Sequence, residues 1–255
     1  MDINNLEVFL RKIKEGKCPL GGIVLSSDPA VTELVAEAGF DFVFIDGEHG
    51  EIDRQTAMQH IMATRGTGCA PFIRVPDSSH TEIKKVIDFA PAGIIIPMVM
   101  NAEEAKAAIA AMRYPPVGNR GCGFRRGTGY GARPVEPYWE QSAHDPLVIL
   151  QIEHIDAVHN LDSILALPGL DSVLVGPYDL SASMNKHGQW DDPELCAVYD
   201  EVARKTKAAG LLLGAALGGD YAAWKRRGVD SMAIKDDSCA MIDGFRAAID
   251  SFRKA

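Results

Sequence analysis

One rhythm constrains this chain more than any other feature. Short and almost uninterrupted apolar runs recur from one end to the other: "GGIVLSS", "FDFVFIDGEH", "PFIRVP", "AGIIIPMVM", "PLVILQIEH", "DSVLVGPYDL", "LLLGAAL" and "DSMAIKDD". Amphipathic stretches such as "AVTELVAEAG", "HTEIKKVIDFA", "AEEAKAAIAAMR" and "AVYDEVARKTKAAG" fill the gaps, several ending at the glycine that commonly closes a helix. The runs do not alternate apolar with polar, so they predict strands buried on both faces, as in a parallel sheet. About eight strand–helix units predict an α/β fold, a closed (β/α)8 barrel forming one domain over residues 1–255. The amphipathic segment before the first strand predicts an extra helix that plugs the barrel bottom. An open doubly wound sheet is the rival, but the first strand leads into "SSDPA" and not into a glycine-rich nucleotide turn.

Composition narrows the function classes. With 47% hydrophobic residues over 255 positions, the chain has enough apolar mass for a real core. A formal charge of −9 argues against nucleic acid as the partner, because phosphate binding needs a basic face. The cysteines, Cys18, Cys69, Cys122, Cys196 and Cys239, are odd in number and form no CxxC pair. They read as free thiols in a reducing compartment. The polar, periodic N-terminus is unlike a signal peptide, and no apolar run approaches a membrane span. A cytoplasmic location without membrane association is the expectation.

In a barrel, side chains that do chemistry sit where the strands end. The second run ends in Asp46, Glu48 and His49, the third in Arg74, and the fourth near Met98 and Asn101. The fifth ends in Gln151 and Glu153, and the sixth leads into Gly176, Pro177, Tyr178 and Asp179. Glu153 and Asp179, on adjacent strands, could converge on a hard divalent cation that keeps positions open for water and substrate. A structural ion pair and a general acid/base pair are the other readings of these two acids. His49 beside a carboxylate reads as a general base or as a rim histidine satisfied by backbone. Arg74, deep in an apolar run, must meet an anion, either a barrel acid or a substrate oxyanion. Met98 and Met100 read as core. The long irregular stretch from Arg113 to Pro146 contains "GCGFRRGTGYGAR", which matches neither phosphate-loop pattern. It reads as a mobile loop over 121–133 carrying Arg125 and Arg126 near the pocket, or as a merely solvated one.

Together, "FVFIDGEHG", "PFIRVP", "IIIPMVMNAEEAKAAIAAMRYPPVGNRGCG" and "LQIEHIDAVHNLDSILALPGLDSVLVGPYDLSASM" resemble the HpcH/HpaI aldolase family, from about residue 20 to the end. The resemblance implies a (β/α)8 barrel and a class II aldolase dependent on Mg2+, Mn2+ or Co2+. Such an enzyme reversibly cleaves a 4-hydroxy-2-oxo acid to pyruvate and an aldehyde through a pyruvate enolate. It also implies a homo-oligomer, a hexamer whose paired subunits exchange the last helix. By the same resemblance, Glu153 and Asp179 correspond to the metal-binding acids and Arg74 to the arginine on the keto oxygen. His49 corresponds to the acid/base histidine, with Asp46 and Asp88 as supporting carboxylates. Gln151 matches a polar residue near pyruvate, and Pro177, Tyr178 and Asp179 match the segment that receives its carboxylate. Tyr178 and the loop "FRRGTGYGARPVEPYW" depart from the family pattern, which leaves the aldehyde partner open. A citrate-lyase-type acyl-CoA lyase and a non-catalytic sugar-acid-binding barrel are the competing readings. Lys235, near the last strand end, is the lysine a Schiff-base mechanism would require.

Overall fold

The apolar runs are strands. The computed structural model describes residues 3–255. In it β1 (Leu20–Val24), β2 (Phe42–Asp46), β3 (Ala70–Arg74), β4 (Gly93–Ile96), β5 (Leu147–Ile152), β6 (Ser172–Val175), β7 (Leu212–Ala215) and β8 (Ser231–Asp236) close into a barrel in chain order. All neighbours pair in parallel, and β1 meets β8 to seal the cylinder. At least one helix returns the chain between consecutive strands.

Both faces of the sheet are buried, but in different clusters. Phe42, Phe44, Phe72, Leu147, Ile149 and Leu174 fill the barrel interior. The residues between them, including Val43, Ile73, Val148, Leu150 and Ile152, pack outward with helix residues such as Ile61 and Ile83. This double burial is why the runs are continuous. It also fixes which residues reach the rim, because side chains on a strand alternate with a period of 2. Continuing the inward series leads from Phe44 to Asp46, from Phe72 to Arg74, and from Ile149 to Gln151 and Glu153.

The N-terminal helix Leu6–Lys14 closes the other end. Leu6 and Phe9 join the interior cluster, and the Phe9 ring lies edge-on to Phe72 and Phe42, with centroids 4.8 and 5.8 Å away. Burying a ring of this size contributes on the order of 2 kcal/mol.

The long stretch over 113–146 belongs to this closed end too. It begins where the helix Ala102–Met112 finishes and ends where β5 starts, and both points lie on the N-terminal face of the barrel. Its buried arginines are structural. Arg126 is buried and donates to the carbonyls of Ile3, Phe89 and Ala90. Arg120 donates to Asp88 and to the Tyr138 hydroxyl and stacks over Tyr114, 4.5 Å from the ring centroid. Within one protomer, Arg125 and Arg126 therefore do not stand near the strand-end rim, where the first of the two readings of this loop expected them. A loop from a helix to the next strand must lie at the end opposite the strand tips.

Candidate active site

A cavity of about 330 Å3 opens at the C-terminal rim, and Asp46, His49, Arg74, Gln151, Pro177, Tyr178 and Asp179 line it. Glu153 lies directly behind Gln151 and is bonded to its amide. The residues read from the strand ends thus converge. Asp88 does not join them within one protomer. It caps the C-terminus of the helix His80–Ile87, at the barrel's N-terminal face, where Arg120 holds it at 3.0 Å. A larger cavity of about 610 Å3, around Arg113, Tyr114 and Trp139, opens beside the 113–146 stretch and contains none of the rim residues.

Register brings Asp46 and Arg74 side by side, because they are paired positions on β2 and β3. Arg74 donates from Nε to Asp46 Oδ1 at 2.9 Å and from Nη2 to Oδ2 at 2.6 Å, the fork geometry that suits arginine to carboxylates. Burial alone would raise the Asp46 carboxyl pKa. The hydrogen bonds and charge of Arg74, with the backbone N–H groups of His49 and Glu48, outweigh it and hold the pKa below its ordinary value. Those N–H groups reach Oδ1 at 3.2 and 3.0 Å, so one aspartate shapes the turn that presents His49 and orients the guanidinium. Gly47 belongs to this turn, since a Cβ there would sit 2.6 Å from the Arg74 carbonyl oxygen.

The third arginine nitrogen is held differently. Nη1 lies 2.9 Å from Glu48 Oε2, yet that oxygen has no aligned hydrogen bond. The two facts together describe an ion pair with poor hydrogen-bond direction. Nη1 is thus the donor that an entering oxyanion can claim without undoing the Asp46 fork. Burial raises the Glu48 pKa, partly offset by Arg74 and His49. The sequence places Glu48 on the rim with Asp46 and His49 but suggests no role for it; its contact with Arg74 is what the structure adds.

Glu153 is 2% exposed. Its Oε1 accepts from the Met98 backbone N–H at 2.7 Å, and Oε2 accepts from Gln151 Nε2. Burial pushes its pKa up to about 7; the Met98 bond opposes this, and the charges of Asp179 and Glu48 reinforce it. The Met98 N–H and the charge of Arg74 thus only partly offset the burial of this acid. Gln151 Oε1, also buried, has no partner. Gly176 faces these groups, and a Cβ there would lie 2.9 Å from Glu153 Oε2 and from Gln151 Nε2. Met98 corrects the core reading, for its side chain is 41% exposed while its backbone, at φ 51°, turns an N–H onto Glu153.

Lys235 is half exposed and paired with Asp243, whose hydrogen bond and charge raise its pKa. A Schiff-base lysine needs the opposite shift. Among the described residues, no three His, Cys, Asp or Glu side chains form a metal-holding group.

Known proteins share this arrangement of chain. The sequence profile of the HpcH/HpaI aldolase/citrate lyase family matches residues 22–223. The chain is 34% identical over 211 residues to the hydroxypyruvate/pyruvate aldolase of Roseobacter denitrificans, covering 81% of this chain and 82% of the relative. It is 34% identical over 231 residues to the 5-keto-4-deoxy-D-glucarate aldolase of an Enterobacter species, covering 89% and 90%. The crystal structure of an HpcH/HpaI aldolase/citrate lyase family protein from Burkholderia cenocepacia superposes with a TM-score of 0.86 at 26% identity, over 95% of this chain and 98% of that one. Barrel, rim and sequence agree, and the chain belongs to the HpcH/HpaI aldolase/citrate lyase family.

Proposed function

We propose that this chain is a divalent-metal-dependent pyruvate aldolase that reversibly cleaves a 4-hydroxy-2-oxo acid to pyruvate and an aldehyde. One observation carries the reading. A fixed arginine with one loosely held donor stands on the same rim as a buried acid whose charge the protein offsets only in part. The names of the two curated relatives, both pyruvate or keto-deoxy-acid aldolases, support the same reaction class.

The donor set suits a hard cation such as Mg2+ or Mn2+, since Glu153 and Asp179 offer carboxylate oxygens and the orphaned Gln151 Oε1 lies beside them. A cation held there supplies Lewis-acid polarisation of the 2-oxo group. Arg74 Nη1 donates to the same oxo oxygen, where negative charge develops as the C3–C4 bond breaks. Asp46 keeps that donor aimed, so it costs no reorganisation when charge appears. His49, at the cavity mouth, accepts the C4 hydroxyl proton directly or through one water. The Tyr178–Asp179 segment bounds the cavity where the substrate carboxylate enters.

The functional unit is a homo-oligomer. The terminal helix Asp237–Lys254 exposes Met241, Ile242, Phe245, Ile249 and Phe252, and Phe245 and Phe252 are 69% and 86% exposed. An apolar stripe of this kind is a protein interface. Asp88 can support His49 only if a second copy brings it to this rim. The free cysteines and acidic composition favour the cytoplasm. Among the described residues no helix is long and apolar enough to cross a membrane.

The test is release of pyruvate from 4-hydroxy-2-oxo acids. Loss of turnover in EDTA and its return with Mn2+ is the expected result. Turnover indifferent to chelation, with borohydride trapping at Lys235, refutes it.

A further inference from the structure

The last strand is irregular, and the irregularity reaches the cavity. Along β1 the faces alternate. A Cβ at Gly21 would run into the Phe42 ring inside the barrel, one at Gly22 would meet Val35 outside it, and Ile23 belongs to the interior cluster. On β8, Met232 and Ile234 pack outward and Ala233 inward. Strict alternation would therefore send Lys235 inward and Asp236 outward. The pairing reverses this: Gly21 is opposite Ala233, but Gly22 is opposite Lys235 and Ile23 opposite Asp236, so Ile234 is one extra residue in the ladder. Paired residues on neighbouring strands share a face. The bulge thus turns Lys235 out toward Asp243 and Asp236 in, where it lines the cavity. Bulges beside active sites re-aim side chains in this way.

The structural duty of Asp236 does not account for this placement. Its Oδ1 accepts the Cys239 N–H at 2.8 Å and so caps the terminal helix Asp237–Lys254. Serine or asparagine caps a helix as well without a charge. Here the charge enters a rim that already holds Asp46 and Asp179. The cap also uses only part of the group, since a carboxylate has about four acceptor positions. Nor does Asp236 complete a metal site, because among the described residues no three His, Cys, Asp or Glu side chains form one.

In a closed eight-stranded barrel, β1 stands across from β5. Gln151 and Glu153 stand at the tip of β5, and Asp236 beside Ile23 on the opposite side. A 2-oxo acid held at the β5 tip therefore directs its remaining carbons toward Asp236. We infer that Asp236 is a specificity-determining residue whose carboxylate accepts a hydrogen bond from a hydroxyl carried by the aldehyde, selecting hydroxyaldehydes over their deoxy analogues. The inference rests on the aldolase reading and adds the residue that reads the second substrate. The acceptor belongs to β8 of the same barrel, so it is present whichever residues a second copy adds to the rim.

The full-length protein with Mg2+ is first tested for exchange of pyruvate methyl protons in D2O by proton NMR, which reads the pyruvate half alone. Addition of pyruvate to two matched pairs, glycolaldehyde with acetaldehyde and glyceraldehyde with propanal, then gives kcat/KM per unhydrated aldehyde. The hydroxylated member of each pair is expected to be preferred by about tenfold or more, the contribution of one hydrogen bond to a charged group. Asp236→Ser keeps a capping oxygen and withdraws the carboxylate, and it is expected to lower that preference by about tenfold. Asp236→Asn keeps cap and shape with a neutral acceptor, and it is expected to lower the preference by less. A residue that served only as a cap would slow both members of a pair alike and leave their ratio unmoved. Exchange without a hydroxyl preference in wild type, or a preference that neither variant lowers, overturns the role of Asp236 and leaves the aldolase reading standing. Absence of exchange overturns both.

Discussion

Glu153 offers a direct test of the site's electrostatics, because it can be made neutral with almost no change of shape. In the native protein its pKa is about 7, against a reference of 4.5. The folded state therefore holds this proton more tightly than the unfolded chain does. The resulting stability is complete below the unfolded value, declines as pH rises from there, and is gone above about 7. At about 1.36 kcal/mol per pKa unit, the ionised acid leaves the protein less stable by about 3 kcal/mol at pH 8 than at low pH. Glu153→Gln removes the charge and keeps an acceptor for the Met98 N–H, and Gln151 can turn its orphaned Oε1 toward the new amide. In EDTA, the variant is expected to match wild type near pH 4.5 and to exceed it at pH 8 by about 3 kcal/mol, roughly 6–12 °C in thermal midpoint for a chain of this size. Thermal denaturation across that pH range measures it. Mn2+ at pH 8 is expected to stabilise wild type and not the variant. A difference that does not grow with pH, or a variant less stable at pH 8, refutes the argument that burial of Glu153 outweighs its partners.

Three other outcomes follow from the same geometry. Arg74→Ala is expected to slow cleavage by roughly 10²–10³-fold, and Arg74→Lys to recover only part of it because one ammonium cannot serve both Asp46 and the oxyanion; steady-state kinetics decide, and a folded variant at full rate would make Arg74 purely structural. His49→Ala is expected to depress aldol cleavage far more than oxaloacetate decarboxylation, which removes no C4 hydroxyl proton; equal losses would place His49 in the enolate half. Phe245→Asp, in the middle of the exposed stripe on the terminal helix, is expected to shift the protein to a smaller assembly in light scattering, and an unchanged mass would assign that stripe another role.

The barrel was legible in the sequence because burial on both sheet faces leaves continuous apolar runs, and here every run became a strand. Asp46, Arg74, Gln151 and Glu153 were legible for a related reason: each continues an inward-facing series of its strand past the last apolar layer. What escaped was information carried by backbone and by topology. The Met98 N–H is a site group whose side chain says nothing of it. The glycine- and arginine-rich stretch was read by composition, although its place after a helix and before a strand already assigned it to the far end. Asp88 stands at the end of the helix His80–Ile87 beside Arg120, so a single chain's sequence pattern could not link it to His49.

The seam between β1 and β8 has a consequence for the chronology of synthesis. Leu20 pairs with Met232 and Ile23 with Asp236, so the cylinder cannot close until β8 has left the ribosome. Phe9 emerges before all eight strands, yet it needs Phe42 and Phe72, whose rings have no barrel to occupy until the later strands arrive. During that interval the nascent sheet presents an open edge and an uncovered apolar interior, the condition under which chains associate wrongly. Pairing between such distant segments also makes closure a slow step. The length of that exposure is set by where the seam falls along the chain, independently of how stable the finished barrel becomes.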